Sequence, residues 1–308
     1  MSILKNYQDK WEKRSTIRTR PRVIFNSEET GFFYPVSHQP LCAHPKIQLL
    51  SEEDFQFLLT QSLYKYCNDI AVIETKIVNK SAFDVINDRL PVVFNADIKM
   101  GAFTIMLDEV YHAYVAFDAL NQIQIHTHIE PLPLPKIIEI EKAINMIKSR
   151  IDKKYHKSFE LVAVCIAENT LTQDTVTMVD KEETHPFFQQ IIKDHLTDES
   201  RHCGYFIQVL AYFWKHLSEE YKLNIGEQLA DFIESYLGVD IEIDFNKKIL
   251  ASLNFSDEEI ARIISETYVS FKISSQHHLL KNIITQLNKT ELLQDINVIN
   301  NFKKKNWI

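Results

Sequence analysis

Two short spacings in the sequence are suited to metal chemistry. Glu109 and His112 stand three apart in "LDEVYHAY", and Glu199 and His202 stand three apart in "LTDESRHC". On a helix, a Glu-x-x-His pair presents a carboxylate and an imidazole from one face, the unit that di-iron and di-manganese bundles project inward. A single such pair is ordinarily a solvated helix face. Here it occurs twice, each time preceded by an aspartate (Asp108, Asp198) and flanked by apolar residues. A bundle site also takes one carboxylate from each of two further helices. Glu74 in "AVIETKIV" and Glu168 in "AVCIAENTL" are lone acids in apolar runs, 35 residues before Glu109 and 31 before Glu199. A bare buried carboxylate is costly, so it binds a cation or is neutralised.

The set Glu74…Glu109-x-x-His112 and Glu168…Glu199-x-x-His202 is pseudo-twofold. Mixed oxygen and imidazole donors without cysteine suit iron or manganese and argue against structural zinc. Asp108 and Asp198 then have a role beside the ligands. Each can accept the free ring N–H of a ligand histidine and fix its tautomer. Arg201 can neutralise Asp198. His195 precedes Glu199 by one helical turn, so His195, Glu199 and His202 fall within roughly 60° of arc. By position alone His195 is either a ligand or a neighbour. His126, His128, His277 and His278 read as surface or packing residues, and His185 before Pro186 as a helix start.

The elements that must position these residues are helices. Residues 51–80 open with an N-cap serine and early acids, and their apolar residues recur three and four apart. Residues 94–123, 136–151 and 184–217 read as further helices, and 225–238, 256–271 and 277–287 as shorter ones. Residues 158–179 are rich in β-branched types, but the constellation requires a helix there to carry Glu168. Residues 1–46 hold four of the chain's 9 prolines and read as an irregular arm, aromatic enough to pack on a core. The fold class expected is an all-α helical bundle with additional helices, one domain over residues 1–308.

Composition narrows the function classes. The chain has 308 residues, 45% hydrophobic and 25% charged, enough for a large core. Only 5 glycines disfavour a many-stranded β fold. A net charge of −8 argues against nucleic acid as partner. The basic clusters "KWEKRSTIRTRPR" and "KKK" read as solvated tails. Cys42, Cys67, Cys165 and Cys203 have neither zinc-finger nor CxxC spacing, and Cys165 and Cys203 read as buried thiols. No long apolar run or signal core occurs, so the expectation is a cytoplasmic protein without a membrane partner. There is no GxGxxG or GxxxxGK[ST] to support a nucleotide fold.

The paired motifs resemble those of the p-aminobenzoate N-oxygenase family, non-haem di-iron arylamine oxygenases of antibiotic pathways. The resemblance covers roughly residues 30–240. It extends to a seventh ligand position, a histidine seven residues before the last motif histidine, which here is His195. "FFYPVSHQPLCAHP" is similar to the proline-rich entry of the family. The resemblance implies that Glu74, Glu109, His112, Glu168, His195, Glu199 and His202 hold two iron ions (Fe2+/Fe3+), with one or more glutamates bridging. It implies O2 as co-substrate, a peroxo-diferric oxidant, and oxidation of an amine to a hydroxylamine, nitroso or nitro product. It also implies a ferritin-like di-iron helical bundle, a homodimer and an external electron donor, either a separate reductase or a small reductant, acting on a free amine or a carrier-bound substrate. Three rivals share the core ligands: a di-iron oxygenase hydroxylating or desaturating carbon, a ferritin-like iron-binding protein, and a structural bundle with an adventitious metal site.

Overall fold

The structure, a computed structural model, describes residues 3–179 and 181–308. Its elements are helical. A single bridge between Phe32 and Thr184 is the one extended pairing among the described residues. Helix α1 spans Ile3–Arg14 and α2 Thr16–Thr19. Helix α3 (Glu52–Val72) runs through a π-helical turn (Ile73–Val78) into α4 (Asn79–Ile86). Then follow α5 (Ala96–Thr127), α6 (Glu139–Lys148), α7 (His156–Met178) and α8 (Pro186–His216). The C-terminal part holds α9 (Glu219–Gly226), α10 (Leu229–Tyr236), α11 (Asp240–Ser252), α12 (Asp257–Thr267), α13 (His278–Lys289) and α14 (Ile296–Lys304). The all-α bundle expected from the periodicity is the fold observed.

Local chemistry sets the helix starts. The Ser51 hydroxyl accepts from the Asp54 N–H at 3.1 Å, and acids fill the first turn of α3. Asn95 Oδ1 accepts from the Ile98 N–H at 2.9 Å to open α5. His185 caps α8, its Nδ1 accepting from the Phe187 N–H at 3.2 Å, with Pro186 in the first turn. The β-branched segment is helical, as the constellation required. Phe159 and the run Leu161–Ala167 are buried, which makes α7 a core helix. Two of its threonines satisfy their hydroxyls within the helix: Thr170 on Ile166 O at 2.9 Å and Thr172 on Glu168 O at 2.8 Å.

Packing brings four long helices together. Helix α5 lies on α3 and α4, α7 on α8, and α5 meets α8. Gly101 permits close approach between α5 and α8. A Cβ at that position would stand 2.4 Å from the edge of the Tyr205 ring, whose hydroxyl donates to Ile98 O at 2.9 Å. Helix α10 covers α6, and α13 covers α7.

Several expectations need correction. The irregular reading of residues 1–46 fails at its start, where α1 and α2 form. The four prolines of the arm all lie at or beyond Pro21, so nothing breaks a helix before it, and Tyr7 and Trp11 make a buried i, i+4 pair. The basic cluster there is not a solvated tail on its inner side: Lys10, Arg14 and Arg18 are exposed, but Trp11, Ser15 and Thr16 are buried. The "KKK" run closes α14, and Lys305 pairs with Asp231 at 2.9 Å and with Glu234. Residues 225–238 are not one helix but the end of α9 and all of α10. Helix α12 ends at Thr267, short of residue 271. All four cysteines are free; Cys42, Cys67 and Cys165 are buried and Cys203 is partly so. No described helix is long and apolar enough to cross a membrane.

Candidate metal centre

The fold brings all seven carboxylate and imidazole residues into one buried region. Glu109 and His112 come from α5, and His195, Glu199 and His202 from α8. Glu168 comes from α7, and Glu74 from the π-helical turn that follows α3. A π turn inserts an extra residue and re-aims the side chains around it, and such turns recur at functional sites. Six of the seven residues are at most 5% exposed, and the His195 side chain is 11% exposed.

The donor atoms form two overlapping sets, Glu74/His112/His195/Glu199 and Glu109/His112/Glu199/His202. Within each set the candidate ligand atoms lie inside 4.8 Å of one another. Glu199 Oε1 is 3.0 Å from His202 Nδ1, 3.4 Å from His195 Nε2 and 3.5 Å from His112 Nδ1. Glu109 faces two rings with different oxygens, Oε1 at 3.0 Å from His202 Nδ1 and Oε2 at 3.6 Å from His112 Nδ1. Glu74 Oε1 is 3.3 Å from His195 Nε2 and 3.6 Å from His112 Nδ1. Glu168 stands outside both sets. It is buried against them, feeling chiefly the charges of Glu109 and Glu199 and then that of His202.

These contacts are short, yet the atoms do not satisfy one another. Glu74 Oε2, Glu109 Oε1, His112 Nδ1, Glu168 Oε2, Glu199 Oε1 and His202 Nδ1 are all buried without a hydrogen-bond partner. A buried polar atom without a partner costs about 1–3 kcal/mol, more if charged. Six such atoms converge on one region, in groups that could hold a metal ion. Four carboxylates also balance the charge of two divalent cations, so the donor set fits a two-metal guest.

The opposite ring edges are held by Asp108 and Asp198, both fully buried, in a crossed arrangement. His112 of α5 points Nε2 at Asp198 of α8 at 3.0 Å, and His202 of α8 points Nε2 at Asp108 of α5 at 3.1 Å. Each aspartate therefore fixes the ring of the other helix and leaves Nδ1 facing the glutamates. Arg201 spans both, its Nη2 donating to Asp108 Oδ2 at 3.0 Å and to Asp198 Oδ1. The role expected for Arg201 at Asp198 thus extends to Asp108.

Sequence reasoning missed the N-terminal contribution. Trp11 Nε1 donates to Asp108 Oδ1 at 2.8 Å. The Thr16 N–H approaches Asp198 Oδ1 at 3.2 Å, and the Thr16 hydroxyl donates to Asp198 Oδ2. The one available signal was a tryptophan and a tyrosine one helical turn apart inside a basic stretch. His185 is a helix cap, as expected. His126 and His128 are exposed at the end of α5, and His277 and His278 stack on each other.

Burial and partners set the protonation of the metal-free centre. Burial opposes the charge on the His112 ring, but Asp198, Glu109 and Glu74 outweigh it and hold the ring well above the usual imidazole range. His202 is held up likewise, by Glu199 and Glu109 against burial. For His195, burial and His112 oppose the charge, and Glu199 and Glu74 push it up to about 9. Burial and the charges of Glu109 and Glu199 push Glu168 well above the carboxylate range, whereas His202 and His195 hold Glu199 well below it despite burial. The surrounding carboxylates thus favour the protonated imidazoles, so protons and a metal compete for the same ring nitrogens. Loading with Mn2+ or Fe2+ should release about one or more protons per ion, and apparent affinity should rise with pH through the range below about 9. Calorimetry in buffers of different ionisation enthalpy measures this; pH-independent binding without proton release would contradict it.

A cleft lined by α3, α5, α8, Thr16 and residues 21–23 reaches this region, with His112 and His195 among its lining residues.

A family model described as p-aminobenzoate N-oxygenase AurF matches residues 2–283, extending past the 30–240 stretch on both sides. No curated protein matches the chain. With most of its length matched, the chain belongs to the p-aminobenzoate N-oxygenase AurF family of oxygenases.

Proposed function

We propose that the protein is a di-iron N-oxygenase that oxidises an arylamine to its hydroxylamine, with further oxidation to nitroso or nitro products open to the same site. The observation that carries this reading is the convergence of six orphaned buried ligand atoms, arranged in two sets that share His112 and Glu199. Glu74, Glu109, His112, Glu168, His195, Glu199 and His202 would together hold the two iron ions. Bound there, the metals would supply O2 activation and transfer of one oxygen atom to nitrogen.

The residues of the chain do the rest. Asp108 and Asp198 keep the His112 and His202 rings in the Nε2–H tautomer, with Nδ1 turned to the metals. Arg201 offsets the pair of aspartate charges. The apolar cleft delivers an amine to the His112–His195 end and keeps bulk water from it. The balance per oxygen atom is R–NH2 + O2 + 2e− + 2H+ → R–NHOH + H2O, the electrons coming from a separate reductase or a small reductant. The test is anaerobic titration with ferrous iron, then O2, reductant and an arylamine panel with product analysis by mass spectrometry. About two irons per chain and a hydroxylamine product are expected. Iron accumulating well beyond two per chain, with no organic product, would favour the iron-binding reading instead.

We further propose a homodimer through α5. Met100, Phe103, Leu107, Val110, Tyr114 and Phe117 alternate three and four apart, and each is 44–65% exposed. That is the a/d spacing of a helix seam, and a seam of this kind is self-complementary across a twofold axis. Replacing Leu107 and Phe117 together with Glu should weaken self-association at least about tenfold. Sedimentation reads this, and an unchanged dimer would place the interface elsewhere.

A further inference from the structure

The walls of the cleft discriminate among amines, a conclusion that rests on the N-oxygenase reading of the metal centre. Its lining is apolar along most of its length: Cys67 and Ile70 from α3, Ala116 from α5, and Phe187, Phe188 and Ile192 from α8. Apart from the two imidazoles at the inner end, the charged lining residues are Arg22, Asp118 and Asp194. No lysine lines it among the described residues. Arg22 is the one guanidinium there, and it is committed to Asp118. Its Nε donates to Asp118 Oδ2 at 2.8 Å and its Nη2 to Asp118 Oδ1 at 2.6 Å, a two-point fork. Gln122 adds a third donor to the same carboxylate at 2.8 Å. Asp194 lies 3.4 Å from Arg20. Arg201, the other arginine near the centre, is bound to Asp108 and Asp198 and does not line the cleft.

A substrate carboxylate entering this cleft would lose its hydration and meet aspartates rather than a free cation. An alkylammonium is disfavoured too, because the apolar walls oppose its charge and it has no nitrogen lone pair to oxidise. The cleft suits an amine neutral at pH 7 on an uncharged, apolar ring. We propose that the substrate is an arylamine without a carboxylate, its ring lying among Ile70, Phe187, Phe188 and Ile192 and its amino nitrogen reaching the His112–His195 end. The Arg22–Asp118 pair at the mouth acts as a specificity element, since it withholds the guanidinium that an aminobenzoate would need.

The test compares p-aminobenzoate with its methyl ester, which differ in one charge, on the two-iron protein. Turnover is read as kcat/KM for the N-oxygenated product, and binding by anaerobic calorimetry. The ester should be preferred by at least about thirtyfold in both. Asp118→Asn frees Arg22 and should narrow that preference about tenfold by improving the acid, with ester binding retained as the control for folding. Equal or better binding of the acid by the unaltered protein would overturn the proposal, as would failure of both compounds to bind. Ester binding with the acid excluded but neither compound oxidised would support the cleft assignment and count against N-oxygenation itself. The two claims therefore fail separately.

Discussion

Glu199→Ala should empty both metal positions, whereas Glu168→Ala should leave one filled. Glu199 Oε1 stands within 3.0–3.5 Å of three ring nitrogens belonging to both donor sets. Removing it takes a shared carboxylate from each position and shifts the charge balance for both ions. Glu168 sits in neither overlapping set, so its loss leaves Glu74, His112, His195 and Glu199 together. After loading and desalting, iron should fall from about two per chain to well under one in Glu199→Ala, and to about one in Glu168→Ala. Oxygenase activity should drop at least about a thousandfold in both, because the chemistry needs the pair of ions. Metal analysis with a circular-dichroism check on folding measures this. Equal iron loss in the two variants would contradict the assignment of Glu199 to both metal positions.

The largest effect on stability is expected at Arg201. Its guanidinium is the one arginine charge shared by two fully buried aspartates, Asp108 and Asp198, beside the rings of His112 and His202. Burial alone would raise Asp198, yet the hydrogen bond from His112, the charges of His112 and Arg201 and the Thr16 contact hold it well below the usual carboxylate range. Arg201→Leu strands those charges and should destabilise the metal-free protein by about 3–5 kcal/mol. In a chain of this size that lowers Tm by roughly 10 °C. A further readout separates this from simple loss of packing. Adding Asp108→Asn and Asp198→Asn to Arg201→Leu removes the stranded charges, so the triple variant should recover most of the lost stability. Its iron affinity should stay at least about tenfold weaker, because the asparagines hold the histidine rings less firmly. A triple variant no more stable than Arg201→Leu would show that packing, not charge, explains the loss.

Much of the centre was legible in the sequence because ligand chemistry leaves a local signature. Glu109 and His112 share a helical face by spacing alone, as do Glu199 and His202. Glu74 and Glu168 stand out because a lone acid in an apolar run is costly to bury unless a cation meets it. Their requirement for a fourth helix even decided residues 158–179 against β-branched propensity, and burial on all sides over residues 158–168 explains why α7 tolerates that composition. Non-local features were not legible. Sequence spacing does not tell which aspartate serves which histidine, and the crossed pairing His112–Asp198 and His202–Asp108 depends on how α5 meets α8. The π turn at Glu74 has no compositional mark, since its residues fit an ordinary helix. Helix α1 was missed because its basic residues dominate the composition, while among its described side chains Tyr7 and Trp11 turn inward. The Trp11 bond to Asp108 spans 97 residues, a distance at which periodicity carries no information.

The measurement that bears most directly on the central claim is a single turnover with heavy-isotope O2. The protein would be loaded anaerobically with about two ferrous ions per chain, given an uncharged arylamine, and exposed to one pulse of labelled gas. The account predicts one labelled oxygen atom bonded to nitrogen in the released hydroxylamine, with none formed by Glu199→Ala. Label on a ring or side-chain carbon, or iron oxidised with no label in any organic product, would contradict it.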